Sequence, residues 1–247
     1  MHGSPCQNFS RVGNKLGGAK GSGTKSSLLF ETIRIIEEME QKPKWIIWEN
    51  VKGVLDKNMK TSFFDYIKEL DMLGYESKYK ILNSMDFGIP QNRDRIFVIS
   101  YLGKNDFDFE KLQKTEMKNI NEFLETNVSD LYEVKQKSML DYINGNNKNK
   151  KFKGRLKVVD KFVYTISTKQ VRVPNSGIID LHNGKYRYLT ERECFRFMGF
   201  DDSDVDILEK IHPKRKNCTS SILYRQAGNS IVVNVLEEIV KNMFKNQ

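Results

Sequence analysis

The chain has 247 residues, 38% of them hydrophobic and 30% charged, with three cysteines and a formal net charge of +9. That length suffices for one larger domain or two small ones, and no apolar run reaches bilayer length, which excludes a helical membrane span. Met1 is followed by polar residues instead of an apolar signal core, and three scattered cysteines exclude a disulfide framework or a Cys-x-x-Cys zinc site, so a reducing, cytoplasmic setting is expected.

In chain order, the first feature is Met1-His2-Gly3-Ser4-Pro5-Cys6-Gln7-Asn8-Phe9-Ser10. Proline fixes its own φ and restricts the residue before it, so Ser4-Pro5 reads as a stiff turn that presents the Cys6 thiol to a polar ligand. The alternative is a small buried hydrophobe. The glycine-rich run 13–23 departs from a nucleotide-binding P-loop because Thr24 separates Gly23 from Lys25-Ser26. It reads instead as a mobile loop able to close over a ligand.

A helix is expected over 26–39, with Leu28, Leu29, Ile33 and Ile36 on one face and Pro43 beyond its end. Trp45-Ile46-Ile47-Trp48 is a run of strand formers leading into Glu49-Asn50-Val51. A carboxylate at the carboxyl end of a buried parallel strand is where α/β folds place their chemistry, although a surface Glu at a loop start is the commoner fate. A second helix opens at Thr61 or Ser62, carries Phe63, Ile67 and Leu70, and stops at Gly74. A strand at 75–82, a turn-rich connection at 86–90 and a strand at 96–99 follow. Gln91-Asn92-Arg93-Asp94-Arg95 stands at the entry of that last strand, where period-two alternation puts Arg93 and Arg95 on one face, suited to a carboxylate or a base carbonyl. This order of elements predicts an α/β unit.

Over 101–184 the periodicity weakens and the composition shifts to Lys, Asn and Asp. Between positions 148 and 161 seven basic residues, including Lys151, Lys153 and Arg155, face one acid. Concentrated positive charge broken by Phe152 and Gly154 fits a phosphate backbone, and equally a solvated lysine-rich loop. The most strand-like piece is 165–172, whose polar side chains and Arg172 suit base-edge contacts. Thr190-Glu191-Arg192-Glu193 fits a capping box and opens a helix that places Cys194 in the core and ends at Gly199. Gly228-Asn229-Ser230 reads as a turn and N-cap for a last helix bearing Ile231, Val232, Val235, Leu236, Ile239, Val240 and Met243, with backbone N–H groups able to hold a ligand.

Taken in this order, several stretches resemble the DNA cytosine-5 methyltransferases: Gly3-Ser4-Pro5-Cys6-Gln7 through Ser10; Glu49-Asn50-Val51; Gln91-x-Arg93-x-Arg95; Arg187-x-Leu189-Thr190-x-Arg192-Glu193-Cys194 through Gly199-Phe200; and Gln226-x-Gly228-Asn229-Ser230. The resemblance implies a Rossmann-like α/β fold dependent on S-adenosylmethionine. In it, residues 1–100 and 185–247 form the catalytic part, and 101–184 is a small, irregular, β-leaning target-recognition domain. It further implies a cytosine flipped out of double-stranded DNA. By that resemblance Cys6 would attack C6 of the base, Glu49 would hold N3, Arg95 with Arg93 nearby would orient base and carboxylate, and Gln7 and Ser10 would line the loop that closes on DNA. Leu28, Asn229 and Ser230 touch the cofactor by the same resemblance, and no metal is involved.

One departure stands out. The family's Phe-x-Gly-x-Gly loop and the acidic residue for the cofactor ribose do not occur before Cys6, since five residues precede it. The expectation is therefore an N-terminally incomplete fold with an exposed strand edge, either a fragment or the second half of a split enzyme completed by a separate N-terminal chain. The leading function is a modification methyltransferase of a restriction-modification or phage system. A non-catalytic, sequence-specific DNA-binding fragment and thiol chemistry on an RNA base are the competing readings.

Overall fold

A computed structural model describes residues 1–4, 23, 25–57, 59–145 and 152–245. Cys6, Gln7, Ser10, most of the glycine-rich loop and Lys151 lie outside the described residues. The chain divides into two compact units, one of 1–83, 94–112 and 239–247, the other of 84–93 and 113–238.

The first unit is built on a three-stranded antiparallel sheet of order β1-β4-β2, with β1 Trp45–Val51, β2 Tyr75–Asn83 and β4 Asp94–Leu102. Helices α1 (Glu31–Glu38) and α2 (Lys60–Met72) supply Ile33, Ile36, Phe63, Tyr66 and Leu70 to a core that takes Ile46, Trp48, Ile96 and Val98 from one face of the sheet. Cross-strand partners share a face, so Glu49 opposite Phe97 and Val51 opposite Arg95 belong to the other face. Gly74 closes α2 at φ +89°, a backbone value that favours glycine.

Two expectations are corrected here. The helix expected at 26–39 begins as a 3₁₀ turn, Lys25–Phe30, and becomes α-helical only from Glu31. The parallel setting expected for β1 is not its main pairing: β4 runs antiparallel to it, and parallel contact comes from His2 alone among the described residues. His2 N donates to Ile47 O at 2.9 Å and Glu49 N donates to His2 O at 3.2 Å.

The second unit is irregular. Its 3₁₀ turns and α3 (Lys137–Ile143) alternate with two-residue strands: β3 Gln91–Asn92, β5 Val163–Tyr164, β6 Ile179–Asp180 and β7 Tyr186–Arg187. The strand expected at 165–172 is absent; Val163–Tyr164 pairs with β3, and the chain then leaves strand geometry. The reason is tertiary: Gln91 Oε1 accepts from Ile166 N at 3.0 Å, replacing a ladder bond with a buried side-chain one.

Helices α4 (Glu191–Arg196), α5 (Asp202–Ile211), α6 (Ser221–Asn229) and α7 (Val233–Phe244) follow. Thr190 and Glu193 form the expected capping box, Gly199 turns the chain at φ +84°, and Cys194 is fully buried. Gly228 and Asn229, however, end α6 instead of starting the last helix, with Ser230 as its C-cap. The last helix begins at Val233, so the backbone N–H groups expected to hold a ligand at Gly228-Asn229-Ser230 are not a helix start.

Candidate active site

In the first unit, β1 and β4 bring an acid and a base together. Glu49 and Arg95 share one sheet face and meet as Arg95 Nε to Glu49 Oε1 at 3.1 Å, with 12% and 16% of their side chains exposed. The pair is shielded enough to be electrostatically strong yet open at its edge. Next to it, Lys52 and Asn83 both bind the Asp94 carboxylate, Asn83 at 2.7 Å. Burial alone raises the Asp94 carboxyl, but those hydrogen bonds and the Lys52 charge outweigh it and leave the group below its ordinary value. The Asp94 carbonyl in turn accepts from Arg95 Nη1 at 2.7 Å, so the guanidinium is held from behind as well as by Glu49.

The segment that precedes the cysteine runs past this pair. A Cβ built on Gly3 would stand 4.0 Å from both the carbonyl oxygen and Oε2 of Glu49. Ser4 is fixed there: its Oγ accepts from Trp48 Nε1 at 3.1 Å and from Asn50 Nδ2 at 3.2 Å, and its carbonyl accepts from Asn50 Nδ2 at 3.0 Å. Asn50 in the Glu-Asn-Val run thus ties β1 to the start of the chain.

Arg93 has other partners. It is 4% exposed in the second unit and donates to Ile166 O at 3.0 Å, to Ser230 O at 2.9 Å and to Gly228 O at 3.4 Å. The two arginines of Gln91-x-Arg93-x-Arg95 therefore serve different ends, one on a carboxylate and one on backbone carbonyls, against the shared face expected from alternation. Arg93 precedes β4, so strand periodicity does not govern it. Gln91 is fully buried and bridges Phe197 O, at 2.7 Å, to Ile166 N. Gly228 is required by proximity: a Cβ there would stand 2.5 Å from Ser167 C and Thr168 N.

Of the residues expected at the cofactor, Leu28 is 51% exposed, Asn229 is exposed at the end of α6, and the Ser230 hydroxyl donates to Gln226 O at 2.8 Å. Lys153, Arg155 and Arg172 are exposed. Phe152 and Leu156 are buried with Val134, Met139, Ile178 and Tyr188, and Leu156 N and Arg155 N both donate to Phe152 O at 3.0 Å. Two apolar feet thus hold a tight turn that points Lys153 and Arg155 outward.

Sequence reasoning missed the buried charges of the second unit. Arg187 grips Glu193 with two bonds of 2.7 and 2.8 Å, and Glu191, wholly buried, accepts from Tyr132 Oη at 2.5 Å and faces Lys214 at 3.2 Å. Their spacing inside Arg187-x-Leu189-Thr190-x-Arg192-Glu193-Cys194 was the available signal. Burial pushes the Cys194 thiol well up, with Glu193 and Glu191 adding to it, so it is unsuited to act as a thiolate.

An acid is thus paired with an arginine across antiparallel strands of an α/β unit, beside the chain segment that leads in sequence to Pro5-Cys6. Residues 1–245 match the family model described as C-5 cytosine-specific DNA methylase. The chain belongs to that family, whose members generally use S-adenosylmethionine. Type II methyltransferase M2.ScrFI of Lactococcus lactis subsp. cremoris is 40% identical over 252 residues, which cover 98% of this chain and 65% of that protein. M.BsuFI of Bacillus subtilis is 31% identical over 98% of this chain and 56% of its own length, and M.HhaI of Haemophilus parahaemolyticus is 32% identical over 98% and 74%. The chain therefore spans less than two thirds of the first two of these relatives. Among solved structures, Entamoeba histolytica methyltransferase EhMeth superposes with a TM-score of 0.72 at 23% identity, over 99% of this chain and 76% of that one. The S. pombe Dnmt2 methyltransferase gives 0.71 at 21%, again over 99% and 76%. These two likenesses concern the fold. Among the described residues no helix is long and apolar enough to cross a membrane, and no cluster of metal-ligating side chains occurs.

Proposed function

We propose that this chain carries the reacting residues of a DNA cytosine-5 methyltransferase that acts on a base flipped out of the duplex. The observation that carries the reading is the Glu49–Arg95 pair lying against Gly3, three residues before Cys6. One residue, Pro5, separates Ser4 from Cys6, so covalent geometry keeps their Cα atoms within about 7 Å. That suffices for sulfur and carboxylate to address one pyrimidine.

In this reading the Cys6 thiolate adds to C6 of cytosine, and the electron pair of the C5–C6 double bond is pushed toward N3 and C5. Glu49 holds N3 and its proton, which stabilises the negative charge that the attack creates, and Arg95 fixes the carboxylate and the base oxygen. Bound S-adenosylmethionine would supply the methyl group that C5 takes up, its sulfonium bond breaking to leave S-adenosylhomocysteine. Loss of the C5 proton to a base and departure of the sulfur restore the aromatic ring and free Cys6. Leu28, Asn229 and Ser230 would hold the cofactor. Lys153, Arg155 and Arg172, with Lys151, would neutralise phosphates, and Gln7 and Ser10 would line the loop over the DNA.

The test is transfer of a labelled methyl group to duplex DNA, by this chain alone and by the chain supplemented with a polypeptide bearing the family's glycine-rich cofactor loop. Cys6→Ser abolishes transfer in whichever preparation is active, and Glu49→Gln lowers kcat by about 10² to 10³-fold, the usual cost of losing one stabilising group. Transfer that survives Cys6→Ser overturns the mechanism. If neither preparation transfers a methyl group while the chain still binds duplex DNA, the non-catalytic reading takes its place.

A further inference from the structure

The functional site does not account for His2, whose ring is held on three sides. Its Nε2 lies 2.9 Å from the Tyr66 hydroxyl on α2, and its Nδ1 lies 3.2 Å from Thr32 Oγ1 on α1. The ring stacks on Trp48 at 6.3 Å and 14°, and meets Tyr66 edge-on at 5.9 Å. The backbone of the same residue contributes two of the bonds that join this segment to β1, beside those that Trp48 and Asn50 donate to Ser4.

Backbone bonds by themselves do not specify a register; side-chain contacts do, here those of Ser4 with Trp48 and Asn50 and those of the His2 ring. A slip of two residues keeps each side chain on its own face but carries the segment about 6.6 Å along β1. Reacting atoms must come within about 3 to 3.5 Å, so such a slip removes the nucleophile from its target. The His2 ring fits one register because its two nitrogens must meet two hydroxyls on different helices while its face meets Trp48. Neutral imidazole offers one donor and one acceptor, and each hydroxyl can take the complementary role.

We propose that His2 is a positioning residue, whose ring, locked between Thr32, Tyr66 and Trp48, fixes the register of residues 1–4 on β1 and so sets how the chain delivers Cys6 to the Glu49 carboxylate. The inference rests on the proposed reaction for its consequence, but the register lock is a property of the described residues alone. Burial, with a smaller contribution from the Met1 ammonium, lowers the His2 imidazole to about 4, in keeping with a neutral ring at working pH.

The test compares His2→Ala, His2→Gln and Tyr66→Phe in the full chain by amide hydrogen exchange and, in the active preparation, by methyl-transfer kinetics. The Glu49 amide, which donates to His2 O, loses about tenfold protection in His2→Ala and about threefold in Tyr66→Phe, the range expected for one lost hydrogen bond, while amides of Ile96 and Val98 in β4 are unchanged. With the register loosened, kcat falls about a hundredfold in His2→Ala, while KM for DNA stays within about twofold. His2→Gln keeps a polar group near the Tyr66 hydroxyl and recovers part of both losses. Unchanged Glu49 protection overturns the proposal. So does a loss shared by Ile96 and Val98, which would make His2 merely structural, and so does an unchanged kcat. If the wild-type protein transfers no methyl group, the reaction reading fails by itself and the exchange data still decide the register lock.

Discussion

Gly228 shows how a motif residue can be demanded by packing instead of by conformation. It lies within α6, and a Cβ there would sit 2.5 Å from backbone atoms of Ser167 and Thr168, with no flexible side chain to give way. Gly228→Ala must therefore push the 166–168 segment away and stretch the Arg93 bonds to Ile166 O and Ser230 O. The expected loss is about 1 to 3 kcal/mol, the cost of overpacking, read as a lower denaturant midpoint. A change below about 0.5 kcal/mol, the level of a neutral surface substitution, would show that the backbone gives way there at little cost. Arg93 carries the complementary lesson. The family resemblance assigned its neighbour Arg95 to the Glu49 carboxylate, but no feature of Gln-x-Arg-x-Arg said that the first arginine would be consumed by carbonyls.

At the scale of an element, the turn at 152–156 carries two cations of the basic stretch. Phe152 and Leu156 anchor it in a small apolar cluster, and Lys153 and Arg155 project between them. A rigid turn pays little ordering entropy on binding, which a free lysine-rich loop of equal charge would. In the proposed DNA complex each of the two cations displaces condensed counterions. The double substitution Lys153→Ala with Arg155→Ala should reduce the slope of log K against log[salt] by about 2, at about 0.9 per phosphate contact. Anisotropy titrations with duplex DNA between low and moderate salt measure it, and an unchanged slope removes this turn from the interface. The strand expected just downstream, at 165–172, marks the limit of reading by element. Its β-branched composition was right for a strand, but Gln91, far away in sequence, took the Ile166 N–H that a ladder would have used. A propensity that spans about 1 kcal/mol yields to one buried hydrogen bond of similar worth.

For the molecule as a whole, the titrating groups of the first unit predict acid lability with a defined shape. Folded His2 binds its proton only near pH 4, whereas the unfolded imidazole does so near its ordinary 6.5. Between those values the unfolded chain holds the extra proton, so stability is fully present above about pH 6.5 and is lost as pH falls toward 4, by at most about 3 kcal/mol. Asp94, held below its ordinary value, adds a further loss only at lower pH, as its carboxylate becomes protonated. Both tryptophans of the chain stand in β1, one of them stacked on His2, so tryptophan fluorescence follows this unit. Urea midpoints should fall from pH 7 to pH 4.5 in the wild type and stay nearly level in His2→Gln. Parallel curves for the two proteins would assign the lability to other groups.

The same scale separates what was legible from what was not. The sequence by itself determined the alternation of helices and strands in the first unit, the capping box at Thr190 and Glu193, the burial of Cys194 and the family. These depend on local spacing and on residue types that a reaction restricts. Tertiary structure alone decided that β1 is flanked antiparallel by β4, that Arg93 serves carbonyls while Arg95 serves Glu49, that Gly228 and Asn229 close a helix, that Arg187 and Glu193 neutralise each other inside the second unit, and that His2 is a fixed point. Most of those facts are contacts between residues far apart in the chain, and composition and periodicity carry no information about which distant partner a buried polar group will find.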